Sequence, residues 1–276
     1  MSKGLLDPKV DFVFKNIFGS PNHPEILISF LNATLKAKKK IVNVDIKKTD
    51  IEKQYIEDKY SRLDVKATTS NDEIINIEIQ LKNENNMVKR SLYYLSKMYE
   101  EQLNEKEDYS KLVRTVCINI LNFKYLKTDN FHTGYRFKEI ESNEELTDIM
   151  EVHFIEIPKL QYSSDEKDML VAWTEFLKDP ESEKVRGLEL SIEEIRQAKD
   201  ELIRMSNDST QRELYDMRAN SLRDKMSELN AAERKGIEKG REEEKIKIAR
   251  NMKLSGLDTN TIAKITNLSE VEIDKL

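Results

Sequence analysis

The sequence predicts an α/β fold, an αβββαβ core followed by an all-helical extension. Three observations carry this. Two segments of period-2 alternation flank the turn "TTSNDE" and read as a β-hairpin. The β-branched run "KLVRTVCINILNF" follows a long helical stretch and reads as a buried strand. From about Leu188 strand residues nearly vanish, and charged helical sequence runs to the end. The expected division is therefore a core domain over 1–187 and a helical extension over 188–276.

Each element has its own signal. "LLDPKVDFVFKNIFGS" reads as a helix, with Asp7 as cap, Pro8 at the first helical position and Gly19 as stop. Val10, Phe14, Ile17 and Phe18 form its apolar face. A second helix runs roughly from Pro24 to Leu35, and "IVNVDIKKT" alternates as a short strand. In the hairpin, Leu63, Val65 and Ala67 alternate with Arg62, Asp64 and Lys66. Ile75, Ile77, Ile79 and Leu81 alternate with Asn76, Glu78, Gln80 and Lys82. "NMVKRSLYYLSKMYEEQL" is helical, with Leu92, Leu95, Met98 and Tyr99 on one face and Leu103 continuing it. After the buried strand, "GYRFKEI" and "MEVHFIEIPKL" read as two more strands and "EKDMLVAWTEFLK" as a helix. Trp173 lies in the apolar stripe of that helix and is expected in the core; Tyr93, Tyr94 and Tyr99 are expected to pack.

In the extension, "AAERKGIEKGREEEKIKIARNMKLSG" is a long polar helix. Gly236 and Gly240 weaken it by about 1 kcal/mol each relative to Ala, which suggests close packing or a bend there. Two short helices follow. Asp258 caps the first, and Ser269 with Glu272 forms a capping box on the second. This pair resembles a helix-turn-helix. Its second helix carries Glu270, Glu272 and Asp274 against Lys275, a poor complement to phosphate. Oligomerisation or partner docking is therefore expected of the tail, in preference to DNA reading.

Composition narrows the classes. Of 276 residues, 38% are apolar and 36% charged, enough for a packed core under a very polar surface. Only 7 Gly and 5 Pro are present, which favours long regular elements. The net charge of -6 is not that of a generic polyanion binder, so nucleic-acid contact requires a local patch. Cys117 is the only cysteine, and His23, His132 and His153 are far apart, so neither a disulfide framework nor a zinc-ligand spacing exists. The N-terminus lacks an apolar signal region, and no apolar run approaches the ~20 residues needed to span a bilayer. The expectation is a reduced, soluble, cytoplasmic protein without membrane contact.

The hairpin poses a chemical question. A turn centred near Asn71 pairs Asp64 with Glu78 and Arg62 with Gln80. Directly opposed side chains sit ~4.5–5.5 Å apart at Cβ, where like charges repel. Either the two carboxylates are solvated on an open face, or a divalent cation sits between them. Gln80 shares the face of Glu78, and its amide could orient a water or a phosphate oxygen; it could equally be a surface glutamine.

The order of elements, with an acid on the second strand and Glu-x-Gln on the third, resembles the PD-(D/E)xK nuclease fold, a restriction-endonuclease-like core. The closer resemblance is to the Rpn family of recombination-promoting nucleases and transposases. It rests on "DFVFKNIFG", "SRLDVKA", "IINIEIQ", "KRSLYYLSKMYEEQL", "YSKLVRTVCINIL" and "MEVHFIEIPKL", in that order, over about Leu5 to Leu177. The resemblance implies a metal-dependent DNA endonuclease acting in recombination, mobile-element biology or defence against foreign DNA. The alternative is a catalytically weak or inactive member that binds DNA or a protein. Asp64 matches the acid of the PD motif and is implied to bind Mg2+, with Mn2+ as a substitute; Glu78 matches the second acid. Leu63 stands where the motif has Pro. Gln80 stands where the wider superfamily often has Lys, although Gln is the usual residue in this family; which group brings positive charge to the phosphate is left open, and Lys66 and Lys82, which share the polar faces, are candidates. Acids on the first helix of this fold sometimes complete the metal site, which makes Asp11 a further candidate. Its plain alternative is a surface acid favoured by the helix dipole. Lys15, Lys89 and Arg90 are candidates for the phosphate backbone. The remaining partner implied by the long tail is a second copy of the chain.

Overall fold

The computed structural model describes residues 4–36, 39–47, 64–161 and 168–276. Helix α1 spans Asp11–Phe18. It starts later than Asp7 and Pro8 suggested. The Asp7 carboxylate accepts from the Lys9 N–H (2.9 Å) and the Asp7 carbonyl from the Val10 N–H (3.1 Å), so these residues form a turn ahead of the helix. Gly19 ends α1 as expected, donating its N–H to the Lys15 carbonyl. A Cβ at Gly19 would lie 2.7 Å from that oxygen, which explains the glycine. Helix α2 is Pro24–Leu35. Val10, Phe14, Ile17 and Phe18 are all buried.

The sheet has six strands in the order β1-β2-β3-β4-β6-β5. They are β1 (Val44–Lys47), β2 (Val65–Thr69), β3 (Ile74–Gln80), β4 (Thr115–Leu121), β5 (His132–Lys138) and β6 (Glu145–Glu156). The β2–β3 hairpin turns with Asp72 at φ 61°, and its register places Val65 opposite Ile77 and Ala67 opposite Ile75. Extended by one residue, that register sets Asp64 opposite Glu78, as the alternation predicts; Arg62 and Leu63 lie outside the described residues. Strands β3, β4 and β6 run parallel, and β5 closes the edge antiparallel to β6.

Helix α3 (Met87–Glu100) connects β3 to β4 and packs on one sheet face, where Met87 and Leu95 meet Cys117, Leu121, Val152 and Phe154. Its buried stripe is Met87, Ser91, Tyr94, Leu95 and Met98. Leu92 is 48% exposed, contrary to expectation, and Tyr93 is half-exposed rather than packed. The physical reason is the partly polar floor under α3. Ser91 donates to Asn119 Oδ1 (2.9 Å), and the Asn119 amide donates to the His153 carbonyl (3.1 Å), so the helix turns a small hydroxyl inward at this point. The opposite face presents Ile75, Ile77, Val116, Ile118 and Ile120, all buried. The end of α1 lies on this side, with the Gly19 position close to Val65.

Helices α4 (Met169–Lys178) and α6 (Glu193–Asn207) pack on α2, α6 also meets α1, and α5 (Glu183–Glu189) packs on α4 and α6. Trp173 is fully buried there, edge-on to Phe18 at 5.3 Å and to Phe176 at 6.0 Å, as a core residue. At the N-terminal ends of β3 and β4, Arg114 bridges Glu73 and Glu151, and Arg136 binds Glu151 and Glu145. Glu151 also pairs with His153 Nε2 (2.7 Å), and His153 Nδ1 lies 2.9 Å from His132 Nε2. Burial, followed by the neighbouring His153, pushes His132 down to about 4, so it stays neutral at pH 7. Gly134 makes room for this pair, since a Cβ there would sit 3.0 Å from the His153 ring. This network ties β5 to β6 and, through Arg114, to the start of β3.

The chain forms two compact units, Met1–Arg218 and Ala219–Leu276. The division expected at 187/188 falls within α5. Helix α7 (Ser209–Leu254) is continuous through Gly236 and Gly240, and nothing lies within 4 Å of a Cβ added at either. Among the described residues no close approach accounts for these glycines. In the second unit the end of α7, α8 (Thr259–Thr266) and α9 (Glu270–Asp274) close around Ala249, Ile262, Leu268 and Ile273. The Asp258 cap and the Ser269–Glu272 capping box are both present. Among the described residues, no helix is long and apolar enough to cross a membrane.

Candidate active site

Asp64 sits where the β2–β3 ladder stops. Its Oδ2 accepts the Ile79 N–H at 2.8 Å, so the side chain continues the ladder by one hydrogen bond. Glu78 lies opposite on β3, under α3. Asp64 is 7% exposed and Glu78 0%. The open, solvated face that the alternation allowed is therefore not what the fold provides. Asn76 and Glu78 look like a wet strand face in sequence, yet α3 covers them both.

Two cations answer the two acids. Arg90 of α3 donates its Nε to Glu78 Oε2 at 3.2 Å, with its guanidinium 5.4 Å over the Tyr94 ring. Lys15 of α1 places Nζ 3.9 Å from Asp64 Oδ1. The compensation is incomplete. Burial pushes the Asp64 carboxyl up to about 6; the Ile79 N–H and Lys15 oppose this, and the charge of Asp11 adds to it. Burial likewise pushes Glu78 up to about 7, against Arg90, with the charge of Asp64 adding. Glu78 Oε1 is buried without a hydrogen-bond partner. Such an atom carries a desolvation cost that a proton or a cation would remove.

The other expected residues are placed as follows. Gln80 ends β3 on the Glu78 side, half-buried, with its carbonyl accepting the Asn122 N–H (2.9 Å). Asp11 is close enough for its charge to act on Asp64, but its Oδ2 lies 3.7 Å from Arg218 and its Oδ1 accepts the Phe12 N–H. Lys66 points Nζ toward Glu101 at 3.8 Å, Lys82 is half-buried, and Lys89 is exposed on α3. The pairing of Arg90 with Glu78 escapes a reading of the sequence alone. Its signal was the position of Arg90 four residues before Tyr94, on the border of the buried stripe.

Two carboxylates with one orphaned oxygen fit a hard divalent cation, which takes one or two protein carboxylates and fills its remaining positions with water and phosphate oxygens. Among the described residues no group of three or more His, Cys, Asp or Glu is arranged around a common metal position.

Comparison with known families agrees with this frame. Residues 8–232 match the PD-(D/E)XK nuclease family transposase model, and residues 242–276 match the C-terminal HTH domain of the Rpn/YhgA-like nuclease family. The helix-turn-helix likeness of α8 and α9, discounted from the acids of α9, is thus genuine at the level of fold. No curated protein and no solved structure matches the chain. With a six-stranded mixed sheet carrying the nuclease-family match over most of its length, and a tail matching that family's C-terminal domain, the chain belongs to the Rpn/YhgA-like PD-(D/E)XK nuclease family of transposases.

Proposed function

We propose that the protein is a divalent-metal-dependent DNA endonuclease, with Asp64 and Glu78 as metal ligands and Gln80 orienting water or phosphate beside them. The observation that carries this is the buried pair of carboxylates, both pushed toward protonation, with Glu78 Oε1 unpartnered. A fold gains nothing in stability from such a pair. The reading makes it the binding half of a cation site.

In the reaction, a water oxygen forms a new bond to phosphorus and the bond from phosphorus to the leaving sugar oxygen breaks. The attacking water loses one proton to solvent, and the leaving oxygen gains one. Mg2+ when bound supplies a lowered pKa for its water and neutralises charge on the phosphate. The chain's own residues fix geometry: the Ile79 N–H holds Asp64, Arg90 of α3 holds Glu78, and both acids are buried. Asp11 serves as an outer acid near Asp64. The C-terminal helix-turn-helix domain belongs to the same proposal as a second DNA contact.

The test is plasmid nicking by the full chain with Mg2+ or Mn2+, with and without EDTA. Asp64→Ala is expected to lose at least about 10²–10³-fold in rate, the scale on which a preorganised charge-stabilising group acts, while its circular dichroism spectrum stays that of wild type. Equal cutting by Asp64→Ala, or by wild type in EDTA, removes the assignment.

A further inference from the structure

The nuclease reading leaves one role unfilled. With Gln80 in the place of the motif lysine, no cation on β3 itself can face the scissile phosphate. Of the strand lysines that share the polar faces, Lys66 is turned to Glu101 at 3.8 Å. The described cations at the carboxylates come from two helices instead. Arg90 is committed to Glu78 and lies over Tyr94. Lys15 approaches Asp64, loosely, at 3.9 Å.

Resting on the nuclease reading, we propose that Lys15 is the catalytic cation of this site. It takes the missing lysine's work from helix α1, by binding a nonbridging oxygen of the scissile phosphate. Three features support it. The side chain is 35% exposed, so its ammonium lies at the boundary where a phosphate would meet the buried acids, whereas Glu78 is fully buried. Its backbone is fixed, because the Lys15 carbonyl receives the Gly19 N–H and Gly19 admits no side chain beside it. Its contact to Asp64 is one that a divalent cation on Asp64 would weaken by like-charge repulsion. Metal loading would thus turn the ammonium away from the carboxylate and toward the substrate. The bond changes are those of hydrolysis given above; Lys15 stays protonated throughout and donates a hydrogen bond to charge growing on the phosphate oxygen.

This reading separates metal binding from phosphate activation. Lys15→Met keeps the apolar stem and removes the charge. It is expected to bind Mn2+ by titration as tightly as wild type or tighter, since a competitor for Asp64 is gone. It should cut DNA about 10²-fold slower, with the loss in kcat and little change in KM. Lys15→Arg is expected to recover a large part of the rate. If Lys15→Met is folded and cuts within about threefold of wild type, the proposal fails while the nuclease reading stands. If it loses Mn2+ binding, Lys15 is an organiser of Asp64 and the proposal also fails. A wild-type chain that binds Mn2+ and cuts no DNA overturns the nuclease reading, and the role of Lys15 with it.

Discussion

Glu78→Gln is expected to melt at a higher temperature than wild type in EDTA at pH 8, and to cut no DNA with any metal. The sign follows from burial. The Glu78 carboxyl rises from 4.5 to about 7 in the folded state because its charge is desolvated, and Arg90 offsets only part of this. A carboxyl with a raised folded pKa contributes stability while protonated. That contribution is present below pH 4.5 and is lost as pH rises through about 7. At pH 8 wild type carries the full cost of an ionised buried acid. At 1.36 kcal/mol per pKa unit, removing that charge returns roughly 1–3 kcal/mol, after allowance for the guanidinium left without its partner. The check is a set of melts from pH 4 to pH 8. The wild-type-minus-variant difference should favour the variant increasingly between pH 5 and pH 8, and Mn2+ should stabilise wild type alone. A variant less stable than wild type at pH 8 would mean that the Arg90 pair outweighs the desolvation of Glu78.

Trp173→Ala is expected to cost about 3–5 kcal/mol, enough to unfold much of the first unit at 37 °C. Trp173 is fully buried, packs edge-on against Phe18, Phe30 and Phe176, and donates its Nε1–H to Ser29 Oγ at 3.2 Å. It therefore ties α4 to both N-terminal helices, and its loss leaves a cavity and an unpaired hydroxyl. Urea unfolding followed by far-UV circular dichroism measures the cost. Trp173→Phe should lose markedly less, since it keeps most of the volume. A change below about 1 kcal/mol for the alanine variant would contradict the packing described.

The sheet was the most legible part of the fold, because strands announce themselves by period. The register of β2 on β3 follows from the alternation and the turn position alone, and with it the opposition of Asp64 and Glu78. The continuous β-branched run gave β4 its place between covered faces. What alternation cannot tell is whether a polar face is wet. Asn76 and Glu78 carry the same pattern as a solvated ladder, and only the placement of α3 buries them. The same ignorance misplaced Leu92 and Tyr93: the stripe of α3 is set by a polar floor contributed by β4, distant in sequence. The start of α1 was misjudged because Asp7 and Pro8 serve a turn as well as they serve a helix. Lys15 was visible only as one of several surface cations, since its approach to Asp64 depends on how α1 lies on the hairpin.

The hydrogen bond that ends the β2–β3 ladder gives the molecule an internal reporter. The Ile79 amide proton is held by an oxygen of Asp64, a carboxyl that burial pushes up to about 6. Its NMR resonance should therefore move as Asp64 gains a proton, and again when a cation draws on that carboxylate. A single isotope-labelled isoleucine amide would then read the occupancy of the site without any substrate, and its exchange with deuterium would show how firmly the last rung of the sheet is held.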